Sequence, residues 1–384
     1  MAVSQLSTSI YLPSMPAMTA EFATDPATMQ LTFTCYMIGA AFSQLVIGPL
    51  SDRFGRRPVL LVGLVIYIVA SVAAAASPTI EMLILARLVQ SIGATTGPVI
   101  GRAIVRDCFE RARGGAQVLA NVGLALALAP AIAPLIGAIV HDVAGWQANF
   151  VLLGVFGIAV LAMTFGWFEE TNVTRLTGAG PAQLARNFAG LLASRMFLSY
   201  ALCSSLLFGA MFAFFSEGPF VFINVMGQTP TGYALYSAFV FVGFAVRSYF
   251  TGRSTLRLGL DRMILIGICA SLVGVALLLA FAIAGWMAPM AVIGPMTIFV
   301  FGIALVFPNG TAGALGVHPE IAGTASALLG FLQMGAAALS TLAAGRLSDA
   351  TVMPMVEVIA VGAALSALCY GLRFAGPPHA SPLQ

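Results

Sequence analysis

Residues 48–76 read GPLSDRFGRRPVLLVGLVIYIVASVAAAA, an arginine-rich turn followed by a run, 59–76, without a single charge. A helix rises about 1.5 Å per residue, so about 20 apolar residues cross a hydrocarbon core of about 30 Å. A strand of a membrane barrel would alternate apolar and polar residues, and this run does not alternate. The segment is therefore read as a membrane-crossing helix entered from a basic loop. The same pairing of long apolar run and short polar loop recurs along the chain. It predicts spans over 4–23, 28–50, 59–77, 80–105, 115–140, 147–168, 196–222, 231–251, 262–284, 288–311, 320–344 and 353–374. The chain is 60% hydrophobic and 8% charged, with a mean hydropathy of +0.99, whereas a soluble domain carries roughly 25% charge. The soluble globular class is excluded, and an all-α polytopic membrane protein of twelve helices is expected.

All 17 basic residues are arginine, and they fall in every second loop. Arg53, Arg56 and Arg57 lie between spans two and three; Arg106, Arg111 and Arg113 between four and five. Arg175, Arg186 and Arg195 lie between six and seven, Arg253, Arg257 and Arg262 between eight and nine, and Arg373 after the last span. The opposite loops hold Asp25, Asp142 and Asp349, with Arg346 as the one basic exception. Because basic loops stay cytoplasmic, both termini are expected inside a bacterial inner membrane. Span one has no basic residue before it and neither the charged start nor the cleavage site of a signal peptide. It reads as a first helix missing its cytoplasmic half, with a translation start upstream of Met1.

The longest polar stretch, 169–195, divides the chain into a six-helix bundle over 1–168, a cytoplasmic linker over 169–195, a second bundle over 196–375 and a cytoplasmic tail over 376–384. Duplication predicts that corresponding loops retain traces of each other. Gly48, Arg53 and Gly55 after span two recur as Gly252, Arg257 and Gly259 after span eight, at one constant offset. The five cysteines are scattered singly, which suits neither a metal nor a redox pair. His141, His318 and His379 fall in loops or the tail, so no metal centre is expected in the membrane interior. No catalytic constellation and no cofactor site is expected, nor is a nucleic-acid partner. Without a nucleotide-binding loop or a large soluble domain, an ion gradient must supply the energy for any work the chain does.

The loop at 48–58 closely resembles the signature loop of the major facilitator superfamily, roughly G-x-L-x-D-R-x-G-R-[RK]. Gly48, Asp52, Arg53, Gly55, Arg56 and Arg57 carry the match. Small residues there would let two helices approach, Gly55 would supply a tight turn, and Asp52 would pair with an arginine near the end of span four, Arg106 being the candidate, to latch one conformation. Further matches resemble the bicyclomycin-resistance-type (Bcr/CflA) drug exporters. These are Tyr11-Leu12-Pro13 with Pro16 in span one, Arg87-x-x-Gln90 and Arg102-Ala103-Ile104-Val105-Arg106-Asp107 in span four, and Pro130, Pro134 and Gly137 in a proline-rich version of the antiporter motif in span five. Gly218-Pro219-Phe220 in span seven and Ala322-Gly323-Thr324 opening span eleven complete the set. The resemblance implies a monomeric proton-coupled antiporter that exports small amphipathic compounds, bicyclomycin- or chloramphenicol-like, through alternating access. Proton-driven uptake or export of one metabolite is the alternative, and a non-transporting membrane sensor a more distant one. Two departures stand out. Relatives commonly carry an acid just before the Tyr-Leu-Pro of span one, where this chain has Ser9 two residues before Tyr11, and Ala133 and Ala138 stand where glycines are usual.

An ionisable residue inside a bilayer costs a few kcal/mol or more, and so is a functional candidate by default. Glu217 in span seven is the one carboxylate placed within a span and away from a basic loop. Burial disfavours the charged form of a carboxyl group, which makes Glu217 the expected proton carrier, the site having moved from span one to its counterpart in the other half. The competing placement ends span seven earlier and leaves Glu217 facing the periplasm. Arg87 is expected to face the bundle interior, and the resemblance implies a part for it in proton coupling or substrate charge. Arg102 and Arg247 are expected to snorkel to the cytoplasmic surface. Candidates for the substrate cavity at the midplane are Tyr11, Met15, Tyr36, Gln44, Gln90, Phe214, Phe215, Phe220, Gln333 and Met334, since aromatic and methionine side chains adapt to varied apolar ligands.

Overall fold

The computed structural model describes residues 1–109, 115–172, 180–349 and 351–371, with side chains omitted over 106–127 and at 181, 245–250, 252 and 253. The helices are α1 (Ala2–Ser9), α2 (Met15–Glu21), α3 (Pro26–Phe54), α4 (Arg56–Ala75), α5 (Ile80–Phe109), α6 (Gly115–Ala144), α7 (Gln147–Trp167), α8 (Pro181–Ala193), α9 (Arg195–Pro219), α10 (Pro230–Leu258), α11 (Leu260–Ile283), α12 (Pro289–Val317), α13 (Ala322–Leu347) and α14 (Met353–Gly371). Among the described residues no strand occurs, and nine helices are long and apolar enough to cross a membrane. Arg106, Arg247 and Arg253 lie where side chains are not described, and Arg111, Arg113, Arg175, Arg373 and the 376–384 tail lie outside the described residues.

The expected first span is two helices in place of one. Pro13 and Pro16 lack the N–H that would continue the ladder, so α1 ends at Ser9, a 3₁₀ turn covers Leu12–Ser14, and α2 follows. The hydroxyls of α1 bond back to their own helix: Ser7 Oγ donates to the carbonyl of Val3 (2.7 Å), while also meeting the hydroxyl of Tyr67 on α4 (2.7 Å), and Thr8 Oγ1 donates to that of Ser4 (2.8 Å). This removes the cost of bare polar groups in an apolar medium. Helices α3 and α10 outrun the expected spans because the apolar run ends before the helix does. Each continues through its arginines to a glycine with positive φ, Gly55 (102°) and Gly259 (81°), which closes the helix and starts the next. Only glycine takes that conformation without steric cost, and the two sites are paired by the same offset that relates the two loops. The same offset joins Gly63 to Gly267, and both sit where backbones nearly touch. A Cβ at Gly93 would lie 2.5 Å from the carbonyl oxygen of Gly63, and one at Gly267 would lie 2.7 Å from that of Gly302. Helix α8 was not expected, since a polar stretch of 13 residues carries no spanning signal; its Leu191 is fully buried, and the helix packs on α9 and α13.

Helix α5 packs between α3 and α4, α7 packs on the other side of α4, and α1 lies against α5 and α6. Helix α9 packs against α12, α13 and α14, while α11 lies along α12 and α14. Two pairs join these groups, α3 with α13 and α6 with α10. The α3–α13 seam is antiparallel: Thr34 Oγ1 meets Thr341 Oγ1 at 2.9 Å, a Cβ at Gly345 would stand 3.2 Å from Gln30, and one at Gly330 would stand 2.8 Å from Gln44.

Candidate functional site

Arg87 is the largest fully buried side chain of the described residues. Helix α5 carries it into a cage of rings, with its guanidinium carbon 4.4 Å from the centroid of Tyr11, 4.3 Å from Tyr36 and 5.8 Å from Phe150. Such contacts attract a cation electrostatically. One turn on, Gln90 Oε1 accepts from Arg87 Nη1 at 2.6 Å, and Gln90 Nε2 donates to Ser71 Oγ at 2.8 Å. Tyr11 reaches Thr32 on α3 (3.1 Å), and Tyr36 donates to the carbonyl of Ser4 (3.4 Å). Four of the expected residues, Arg87, Gln90, Tyr11 and Tyr36, therefore form one cluster. Arg87 Nε and Nη2 have no hydrogen-bond partner among the described residues.

Glu217 lies 22 residues along α9 from Arg195, about 33 Å at the helical rise, on the same face as Asp25 and Asp349. Helix α9 does not end before it: the helix runs to Pro219 and continues as a wide π turn over Phe220–Val225. The residue is 3% exposed. Gln30 of α3 donates from Nε2 to Glu217 Oε1 at 2.9 Å, and its own Oε1 accepts from Ser216 Oγ. Ser348 and Asp349, at the end of α13, also face the carboxylate. Nearby, Phe33 of α3 stacks on Phe212 of α9 with centroids 5.8 Å apart. Gln30, Ser216 and the Thr34–Thr341 pair were missed in the sequence. The one available signal was an uncharged amide early in an apolar span.

The remaining cavity candidates scatter. Phe214 and Phe215 join a ring cluster, Phe215 stacked on Phe241 at 4.9 Å and Phe214 edge-on to Phe222 at 6.3 Å. They and Phe220 are buried, so all three act as packing in this conformation. Met15 is fully buried in the same core as Tyr11, Gln333 is 9% exposed on α13, and Met334 packs at the margin of the core. Arg102 is exposed, and its Nη2 also donates to Gln44 Oε1 across α5 and α3 at 3.3 Å.

At the signature loop, Asp52 pairs with Arg56 (2.5 Å), and Arg56 Nη1 also donates to Ser51 Oγ (2.7 Å). The expected partner Arg106 is one of the residues whose side chain is not described. Asp52 ends α3 and Arg56 opens α4, so the pair closes across the Gly55 turn. Gly48 is not a point of close approach: no described atom lies within 4 Å of a Cβ placed there. The residue that ties the loop down is Glu170, which the sequence reading passed over. Its Oε1 accepts from the backbone N–H of Arg56 (2.9 Å) and its Oε2 from that of Arg57 (3.1 Å), while Asn172 donates to the carbonyl of Asp52 (2.9 Å). An acid at the first turn of a helix satisfies orphan N–H groups and the positive end of the dipole. Arg53 lies over the ring of Phe54 (5.3 Å), and Arg57 donates to the carbonyl of Phe165 (2.7 Å). In α6, Pro130 and Pro134 lie within the helix. Gly137 abuts the carbonyl of Ile10 so closely that a Cβ would stand 2.6 Å from its carbon, and Asn149 bridges Gly137 and Ser14.

The Major Facilitator Superfamily model matches residues 1–341. A chloramphenicol resistance protein of Pseudomonas aeruginosa is 32% identical over 357 residues, covering 92% of this chain and 84% of the relative. A bicyclomycin resistance protein homolog of Haemophilus influenzae is 27% identical over 365 residues, covering 94% and 90%. The xylose transporter XylE from E. coli, solved in a partially occluded inward open conformation, shares the fold at a TM-score of 0.73 with 12% identity, covering 98% of this chain and 95% of that one. The signature loop, the whole-length match and the shared fold agree: this chain belongs to the major facilitator superfamily, and it is a membrane transporter of the bicyclomycin-resistance type.

Proposed function

We propose that the protein is a proton-coupled antiporter that expels small amphipathic compounds of the bicyclomycin and chloramphenicol kind by alternating access. Twelve spans in two six-helix bundles, residues 1–168 and 196–375, rock about a central cavity, with the 169–195 linker, the arginine-rich loops and both termini on the cytoplasmic side of an inner membrane. The protein works as a monomer.

The observation that carries this reading is the Glu217–Gln30 contact, a buried carboxylate on α9 held by an amide on α3. An ionised carboxylate only accepts hydrogen bonds, whereas a protonated one also donates. Gln30 Oε1 already accepts from Ser216 and Gln30 Nε2 donates to Glu217, so a proton on Glu217 replaces a charge-assisted contact across the α3–α9 seam by a weaker neutral one. Proton uptake in this way loosens the contact between the outer ends of the bundles. The latch at the opposite end is the Asp52–Arg56 loop, held by Glu170.

Purified protein in proteoliposomes tests the reading through substrate-induced proton flux, across a panel that includes chloramphenicol. Glu217→Gln should abolish the flux while leaving folding and substrate binding intact, and Gln30→Ala, which keeps the acid and removes its partner, should uncouple flux from transport in part. Proton flux unchanged in Glu217→Gln would remove Glu217 from the mechanism.

A further inference from the structure

Glu217 is buried, yet a second carboxylate that faces it is open to water. Helix α13 ends at Leu347, and Ser348 and Asp349 follow it into the connection to α14. The end of α13 lies over the start of α3, where a Cβ at Gly345 would stand 3.2 Å from Gln30 Oε1, and from there Ser348 and Asp349 face Glu217. Asp349 is exposed and Ser348 half-buried, so the three side chains step from water into the core. Thr351 donates to Asp349 Oδ1 from its N–H (3.0 Å) and its hydroxyl (2.6 Å), which commits one oxygen of the carboxylate and leaves the other. The remaining neighbours of Glu217 do not offer this step. Gln30 and Ser216 are neutral, and the two oxygens and nitrogens between them are already engaged. From α10, the Tyr233 ring comes within 3.1 Å of a Cβ at Gly218 but is itself fully buried. Arg346, in the last turn of α13, is exposed and already protonated. Among the described residues, Asp349 is thus the one titratable group that both faces Glu217 and meets water.

We propose that Asp349 is the residue through which protons reach Glu217, with the Ser348 hydroxyl as the link between the two acids. A hydroxyl both accepts and donates, so it can hand on a proton within hydrogen-bond reach. The Asp349 carboxylate takes a proton from water and passes it to Ser348 Oγ, which releases its own proton to the Glu217 carboxylate. Asp349 is left as a carboxylate, Ser348 as a hydroxyl and Glu217 as the neutral acid. This rests on the reading of Glu217 as the proton carrier, and it fixes the end of the molecule from which that carrier is loaded, where α3 begins and α13 stops.

A pH jump from a photolysed caged acid, applied to the purified full chain in lipid nanodiscs and followed by time-resolved infrared absorption, tests the route without any substrate. The protonated-carboxyl band that is missing in Glu217→Gln reports loading of Glu217. Asp349→Asn, whose amide oxygen can keep the bonds from Thr351, should slow the rise of that band at least about tenfold, since a positioned acid or base is worth about 10²–10⁴. Asp349→Glu should restore the rate to within about threefold, and added phosphate buffer should speed Asp349→Asn but not the unsubstituted protein. A merely structural part for Asp349 would give neither result. Ser348→Ala keeps both acids and breaks the link; it should slow the band as well, and it decides if Asp349→Asn does not fold. An unchanged rise in Asp349→Asn overturns the proposal, as does slowing that neither Asp349→Glu nor buffer relieves. No band lost in Glu217→Gln would instead refute the proton-carrier reading, and this route with it, so the two failures are told apart.

Discussion

Replacing Gly137 by alanine inserts one methyl group where α6 meets the end of α1. The new carbon would overlap the carbonyl oxygen of Ile10 and stand 2.6 Å from its carbon and 3.1 Å from Ile10 Cγ1. Apolar contacts settle at about 3.5–4.0 Å, and the overlapped oxygen is the limiting contact, so the backbones must part by about 2 Å. The obstacle is a main-chain carbonyl and cannot rotate aside. The same displacement strains the Asn149 bridge, whose bonds to Ser14 Oγ and the carbonyl of Gly137 are already 3.1 and 3.2 Å long. Overpacking costs about 1–3 kcal/mol and two neutral hydrogen bonds about 0.5–1.5 kcal/mol each, so Gly137→Ala should lose about 2–6 kcal/mol. Gly48→Ala is the control: with no described atom within 4 Å, it should be neutral or gain up to about 1 kcal/mol from helix propensity. Equilibrium unfolding of purified protein by sodium dodecyl sulfate in mixed micelles, followed by circular dichroism, measures both. Gly137→Ala unfolding at the same detergent fraction as the unsubstituted protein would refute the close approach.

Two further outcomes follow from groups outside the spans. Glu170→Gln replaces one accepting oxygen by a donor and strands an N–H at the start of α4, at about 1–3 kcal/mol; amide exchange at Arg56 or Arg57 should quicken at least about fivefold, and unchanged exchange would dismiss the cap. Asp25 caps α3 through the N–H of Thr28 at 2.9 Å and its hydroxyl at 2.7 Å, and that backbone hydrogen bond, foremost, holds its carboxyl below the usual range. A lowered folded value means stability present at neutral pH and lost as pH falls through that value. Asp25→Ala should therefore cost about 0.5–2 kcal/mol at pH 7, with the difference from the parent closing below about pH 4; a gap that persists at low pH would show that the charge is not the cause.

The fold was legible because its determinants are local. An uncharged run of spanning length, a loop rich in arginine and a glycine at the turn each act within a few residues, and Gly55 and Gly259 close their helices as the repeat requires. The Arg87–Gln90 contact was equally legible, because residues three apart share a helix face. What escaped was pairing across helices. Nothing in the neighbourhood of Gln30 announces that it will meet Glu217, and nothing near Glu170 announces that it will cap α4. Asp52 meets Arg56 across the Gly55 turn, a contact that the spacing of the loop alone does not announce. The phenylalanines of α9 were read as lining because composition does not tell a ring that faces a cavity from one stacked on Phe241.

Helix α3 is one rod of 29 residues, about 43 Å long, and most of the polar contacts described above are strung along it. Gln30 meets the acid of α9, Thr32 and Tyr36 set the cage of Arg87, Gln44 takes Arg102, and Asp52 holds Arg56. Pro49 lies inside the helix and deletes a single rung of its ladder. The rod is thus stiff from Gln30 to Gln44 and pliant only just before the arginine loop. A lever built this way reports tilt at one end as bending at a single joint near the other, so substitutions at Pro49 should change how far the loop travels without altering what the upper arm grips.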